Sequence, residues 1–82
     1  MKIVTLYTKP DCHLCDTAHE VLEGMRQDFD FEIEQVDISR DRALLKRYGV
    51  RIPVVAVDGI ELFEHRVDDR ALRSILAEGT ES

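Results

Sequence analysis

Asp58-Gly59 constrains the fold of this chain more than any other dipeptide in it. It separates Pro53-Val54-Val55-Ala56-Val57 from Ile60-Glu61-Leu62-Phe63, two runs whose β-branched and aromatic residues favour extended structure. A two-residue Asp-Gly link between such runs is among the strongest hairpin signals a sequence carries. The second half of the chain is therefore expected to hold an antiparallel hairpin.

Upstream of it the pattern alternates between strand and helix. Ile3-Val4-Thr5-Leu6-Tyr7 reads as a strand, not cleanly alternating and so expected to be buried on both faces. Thr8 to Asp11 form a loop in which Pro10 helps to end the strand. A helix is expected from about residue 13, because Leu14, Ala18, Val21, Leu22 and Met25 recur with helical period; Gly24 weakens it near its end. Phe29, Phe31 and Ile33 then alternate with Asp30, Glu32 and Glu34, a half-buried strand running towards Asp37. Strand, helix and strand in this length make a βαβ unit with parallel strands and a right-handed crossover.

Ser39 is expected to cap a short second helix carrying Leu44, Leu45 and Tyr48, with Gly49 as its C′ residue. Asp68 is expected to cap a last helix carrying Leu72, Ile75 and Leu76, with Val67 and Leu72 placed as a hydrophobic staple. The order of elements is β-α-β-α-β-β-α. Its 82 residues fit one small domain, residues 1–82, without linker or repeat. Such a domain buries only roughly 60% of its unfolded surface and is modestly stable.

A composition 44% hydrophobic and 34% charged suits a soluble globule. No run approaches the roughly 20 apolar residues of a membrane span, and MKIVTLYTKP makes a poor signal peptide. A cytoplasmic monomer is the expectation. The net charge of −6 repels nucleic acid and anionic membranes, which excludes both as expected partners. Charge is unevenly spread, however. Asp28, Asp30, Glu32, Glu34 and Asp37 are followed by Arg40, Arg42, Lys46, Arg47 and Arg51, either two solvated faces or a local anion-attracting patch.

Cys12 and Cys15, the only cysteines, stand where the first helix begins. In a reducing compartment a close Cys pair is more often catalytic, redox-sensing or metal-binding than structural. Side chains at i and i+3 on a first helical turn are neighbours, so a disulfide can open and close there without rearranging the fold. Unpaired N–H groups at the helix start favour a thiolate on Cys12, whereas burial one turn inside keeps Cys15 protonated. Cys12 is then the attacking sulfur and Cys15 the resolving one. Lowering a thiol's pKa from about 8.5 to about 6 raises its thiolate fraction roughly thirtyfold. The nucleophilicity of each thiolate falls roughly eighteenfold in exchange, so the larger benefit comes when Cys12 is the leaving group.

Protonated His13 would favour that thiolate, and Lys9 would add positive potential; the alternative for each is an ordinary exposed side chain. The C-x-x-C spacing with His19 one turn on also admits a zinc or Fe–S module, the latter bridging two chains. Further ligands are scarce, since only His13 and His65 remain among the histidines.

"YTKPDCHLCD", "YGVRIPVV" and Asp68 before the last helix together resemble a glutaredoxin-like small redoxin of the thioredoxin-fold superfamily, over about residues 2 to 78. They look most like the glutaredoxin-like branch whose dithiol reads CHLC. The resemblance implies an α/β, thioredoxin-like βαβ-α-ββα fold, with three helices flanking a four-stranded mixed sheet of order 2-1-3-4. It implies a cis Ile52–Pro53 bond facing the dithiol, with the Ile52 backbone free to pair with an extended substrate. It also brings Arg51, with Arg47, near the dithiol, where they would read an anionic group such as a glutathione carboxylate. Two features depart from the family: His-Leu replaces the usual Pro-Tyr inside the dithiol, and His65-Arg66 stands where a Gly-Gly pair lets backbone N–H groups approach a γ-glutamyl carboxylate. Arg66 remains a partner for such a carboxylate, and Asp68 matches the family's acidic contact as well as its capping role.

The activity implied is thiol-disulfide oxidoreduction with no bound cofactor. The implied partners are a disulfide-containing protein and a reductant, either glutathione or a thioredoxin reductase. The alternatives are the metal-binding module and a non-catalytic adaptor that binds through the Pro53 groove.

Overall fold

The computed structural model describes residues 1–78. Its elements are β1 (Lys2–Thr8), α1 (His13–Met25), β2 (Phe31–Asp37), a 3-10 turn (Ile38–Arg40), α2 (Arg42–Tyr48), β3 (Val54–Val57), β4 (Ile60–Glu64) and α3 (Asp69–Glu78). They form one four-stranded sheet of order β2-β1-β3-β4. β1 runs parallel to β2, from Lys2 opposite Phe31 to Thr8 opposite Asp37. β3 is antiparallel to both β1 and β4. Tyr7 lies opposite Val54, so the end of β1 that leads to the dithiol sits beside the start of β3 at Pro53.

The Asp58-Gly59 link turns as its sequence predicts. Both residues have positive φ, 51° and 86°, the backbone of a primed hairpin turn that matches the twist of its strands. Asp58 also fastens the hairpin to β1: its N–H donates to Ile3 O and its Oδ1 accepts from Ile3 N–H, both at 2.9 Å.

Two apolar clusters fill the two faces of the sheet. Val4, Leu6, Val55 and Val57 face α1 and α3, where Ala18, Leu22, Met25, Leu72 and Leu76 complete the main core with Phe31. Val54 faces α2 and belongs to a smaller cluster with Cys15, Ile38, Tyr48 and Ile52. At the head of α3, Asp68 Oδ1 accepts from Ala71 N–H at 3.1 Å, and Val67 packs against the core cluster that holds Leu72.

Four local expectations are corrected. Leu14 is 51% exposed, because Cys15, one residue on, takes the first place in the buried stripe with Ala18, Leu22 and Met25 and leaves Leu14 at its edge. Phe29 precedes β2; its N–H donates to Met25 O and its ring packs against the main core. Ser39 does not cap α2. Asp37 captures the Ser39 N–H and hydroxyl to close the 3-10 turn, and Asp41 caps α2 by accepting from Ala43 and Leu44 N–H. Gly49 caps the end of α2 with a right-handed φ of −49°, not a left-handed one, and a Cβ there would lie 2.5 Å from Leu45 O. Close backbone approach, not positive φ, explains this glycine.

The hairpin contains a bulge that the sequence pattern hides. Val55 lies opposite Phe63 but Ala56 lies opposite Glu61, so Leu62 is the extra residue. Without it, Glu61 and Phe63 would share a face. With it, Phe63 packs against the main core, while Glu61 and Glu64 both lie on the face covered by α2.

Candidate active site

The dithiol is built by the β1-to-α1 junction. Cys12 is extended, with φ −107° and ψ 104°, and caps α1 with its own side chain: Cys15 N–H donates to Cys12 Sγ at 3.2 Å. An N–H that the helix leaves without a backbone acceptor is thus aimed at sulfur. The two cysteines are joined as a disulfide with Cα atoms 5.2 Å apart, inside the range that the bond needs. They differ in environment. Cys12 is half-buried, whereas Cys15 is 2% exposed and enclosed by the smaller cluster.

Opposite the dithiol stands the loop from Gly49 to Pro53. The Ile52–Pro53 peptide bond is cis, Pro53 is buried, and Ile52 packs in the cluster that holds Cys15. The Ile52 N–H is not free, contrary to expectation: it donates to Tyr48 O at 3.1 Å, because the chain leaves α2 by a tight turn in which Arg51 N–H uses the same carbonyl. His65, with a left-handed φ of 68°, donates its N–H to Pro53 O at 2.8 Å and to Arg51 O at 3.2 Å. That pair of bonds ties the end of the hairpin to the proline loop.

Behind the loop lies a polar network made possible by the bulge. The Tyr48 ring stacks on Tyr7 with centroids 4.2 Å apart, and its hydroxyl donates to Glu61 Oε2 at 2.7 Å. Arg51 donates from Nη2 to Glu61 Oε1 at 2.8 Å, from Nε to Glu64 Oε2 at 2.9 Å and from Nη1 to Arg47 O at 3.3 Å. Arg47 reaches Glu61 Oε2 at 3.3 Å, and both guanidinium carbons lie 5.4 Å from the Tyr48 ring centre, within cation–π range. Burial and the bond to Glu61 push the Tyr48 hydroxyl well above the usual tyrosine range. The bonds from Tyr48 and Arg51 hold the Glu61 carboxyl below its ordinary value.

The remaining sequence candidates fall into two groups. Lys9, His13, Arg66 and Asp68 are all exposed, and Asp68 is engaged in capping α3. Arg51, Ile52 and Pro53 are gathered beside the cluster that holds Cys15, but Arg51 is occupied by carboxylates of its own chain. His19 lies 3.4 Å from Glu23 Oε2, and among the described residues no three His, Cys, Asp or Glu side chains converge as metal ligands. Sequence reasoning missed Tyr7, Glu61 and Glu64, and it took Tyr48 for an ordinary helix residue. Only the helical spacing of Leu44 and Tyr48 signals that Tyr48 turns inward; the bulge that delivers Glu61 has no signal in the pattern.

A parallel strand pair, a disulfide at a helix start, and a buried proline in the loop beside it define a thioredoxin-type fold, and the C-x-x-C pair in disulfide geometry supports a redox role in general terms. Solved structures agree. One is a structural-genomics target from X. campestris, 41% identical over 92% of this chain and 96% of its own, with a TM-score of 0.73. Another is protein Ne2328 from Nitrosomonas europaea, 25% identical over 92% of this chain and 91% of its own, with a TM-score of 0.81. The family model "Glutaredoxin-like domain (DUF836)" matches residues 3–77, and the chain belongs to that family. Among curated proteins it is similar to a glutaredoxin-like protein of Dictyostelium discoideum, 29% identical over 84% of this chain and 69% of the relative.

Proposed function

We propose that this protein is a thiol-disulfide oxidoreductase that reduces disulfides of other proteins, or mixed disulfides, through Cys12 and Cys15. The observation that carries this reading is the asymmetry of the dithiol: one half-buried sulfur receives a helix-start N–H, and the other is sealed in an apolar cluster. The reduced Cys12 thiolate attacks a substrate sulfur, the substrate's other sulfur leaves, and a mixed disulfide forms. The Cys15 thiolate then attacks Cys12, which releases the substrate as a thiol and leaves Cys12–Cys15 oxidised. The same N–H that stabilises Cys12 as an anion makes it the better leaving group when the protein is recharged, as a thiolate attacks the donor's sulfur in a Cys12 mixed disulfide.

Ile52 and Pro53 supply the wall against which an extended substrate lies. With the Ile52 N–H bound to Tyr48, its carbonyl is the group offered to the incoming chain. Lys9 and Arg66 are exposed cations, and together with His13, Arg51 and Asp68 they are the side chains this reading assigns to substrate contact. The two electrons are returned by glutathione or a thioredoxin reductase, in the cytoplasm, with no bound cofactor. Trapping tests the reading. Cys15→Ser is expected to accumulate a mixed disulfide on Cys12, and Cys12→Ser to be inert; full disulfide-reducing activity in both single variants would overturn it.

A further inference from the structure

We infer that the site does not recognise glutathione and is recharged by a reduced dithiol protein; this rests on the oxidoreductase reading above. Glutathione is a flexible tripeptide with two carboxylates, and a site selects it only by meeting those charges with free donors. Here the donors nearest the dithiol cluster, Arg51, Arg47 and the His65 N–H, are already bound inside the chain. Arg51 uses all three of its guanidinium nitrogens, on Glu61, Glu64 and the Arg47 carbonyl. Arg47 reaches Glu61 in turn. The backbone N–H of His65 is shared between Pro53 O and Arg51 O; the Asp68 carboxylate, which could meet only the ammonium group of glutathione, accepts from Ala71 N–H. An incoming carboxylate would also have to approach Glu61 and Glu64, which repel it. Lys9 and Arg66 are exposed cations with no ion pair among the described residues. Isolated exposed cations of that kind bind an anion weakly and are screened by salt.

The clamp is a consequence of the bulge at Leu62, which puts Glu61 and Glu64 on the α2 face together. It leaves the cluster around the dithiol apolar, lined by Ile52, Tyr7 and Tyr48, and suited to a protein surface rather than to a charged tripeptide. In the recharging step a donor thiolate attacks Cys12 Sγ, the Cys12–Cys15 bond breaks, and the Cys15 sulfur leaves with the electron pair and takes up a proton. The donor's second thiolate attacks the mixed disulfide, Cys12 leaves as a thiolate, and the donor ends as a disulfide, having passed on two electrons. For a dithiol protein the second attack is intramolecular, whereas glutathione needs a second unassisted encounter.

The test compares the rate at which the oxidised protein is reduced by glutathione with that for 2-mercaptoethanol, a neutral monothiol. Both rates are normalised to those on a synthetic disulfide peptide of residues 9–19. The expected normalised preference for glutathione is within about twofold of unity, without saturation, since only intrinsic thiol reactivity remains. Releasing Arg51 with the double substitution Glu61→Gln/Glu64→Gln is expected to raise that preference by roughly tenfold, the worth of one charge-assisted contact. Glu64→Gln alone, at an exposed position, should give part of the gain. A saturable glutathione reaction in the unaltered protein would overturn the inference, as would a double variant with no gain. Failure of every thiol, including reduced thioredoxin, to open the Cys12–Cys15 bond would instead overturn the oxidoreductase reading itself.

Discussion

On one face of the sheet, Val4, Leu6, Leu22, Leu72 and Leu76 pack aliphatic against aliphatic. On the other, Cys15 is enclosed by Ile38, Tyr48, Ile52 and Val54, and Tyr48 carries its hydroxyl outward to Glu61. The first face is held by burial alone, which is non-directional and scales with area. The second contains a bond that must open and close, a phenol that must keep a partner, and a guanidinium shared between carboxylates. Directional contacts of that kind fix positions where burial alone would leave latitude. The difference assigns stability mainly to the α1/α3 face and positioning mainly to the α2 face.

The sharpest way to break that division is to cut into the main core. Leu22 is fully buried, and Leu22→Ala is expected to cost about 3 kcal/mol in urea-denaturation experiments, from lost transfer energy plus the cavity. The surviving folded fraction should still form the Cys12 mixed disulfide in the Cys15→Ser background. A loss of trapping out of proportion to the loss of folded protein would show that the main core also positions the dithiol.

Tyr48→Phe comes next. It keeps the ring on Tyr7 but removes the hydroxyl that Glu61 accepts from, at an expected cost of roughly 1–2 kcal/mol for an unpaired partner. The same hydroxyl sets an alkaline limit. Burial first, and Glu61 second, hold its proton above the ordinary tyrosine value of 10.0, so the contribution is fully present below that pH. Above it the unfolded chain ionises while the folded chain does not, and stability falls as pH rises. Denaturation midpoints followed upward from pH 10 should decline less steeply in Tyr48→Phe.

The two faces are also unequally legible in the sequence. Helical period in α1 and α3 and the Asp58-Gly59 turn specify the main core, because burial there follows directly from spacing. C-x-x-C at a strand-to-helix junction places the dithiol for the same reason. The α1 stripe differs only at its first position, since Leu14 and Cys15 are both apolar neighbours and helical period alone does not decide between them. The cap of α2 is not legible in the sequence, because Asp37, Ser39 and Asp41 are all competent caps and the 3-10 turn sorts them. The network behind the proline loop was invisible. It depends on the one-residue slip between Val55 and Ala56, and a period-two reading of Ile60 to Glu64 cannot register a slip.

That network gives an acid limit to set beside the alkaline one. Bonds from Tyr48 and then Arg51 lower the Glu61 carboxyl, so its contribution is present above the ordinary value of 4.5 and is lost as pH falls through the lower folded value. Asp37 acts in the same direction through its bonds from Ser39. Glu61→Gln should flatten the acid limb of a stability-versus-pH curve only in part. A curve left unchanged by Glu61→Gln would mean that the carboxylate is not held by its partners.

The smallest effect is expected from a cluster that looks much the same on paper. Arg73 also joins two carboxylates, Asp69 at 2.8 Å and Asp28 at 3.0 Å, in nearly the geometry of Arg51. Its side chain is 42% exposed against 28% for Arg51, and no buried phenol or proline loop leans on it. Exposed pairs of this kind are screened by salt and offset by the entropy of holding long side chains still. Arg73→Ala is therefore expected to leave both the denaturation midpoint and the rate of mixed-disulfide formation unchanged within error at moderate salt. A drop in midpoint matching that of Tyr48→Phe would show that charge count, not placement against the dithiol cluster, is what matters in this fold.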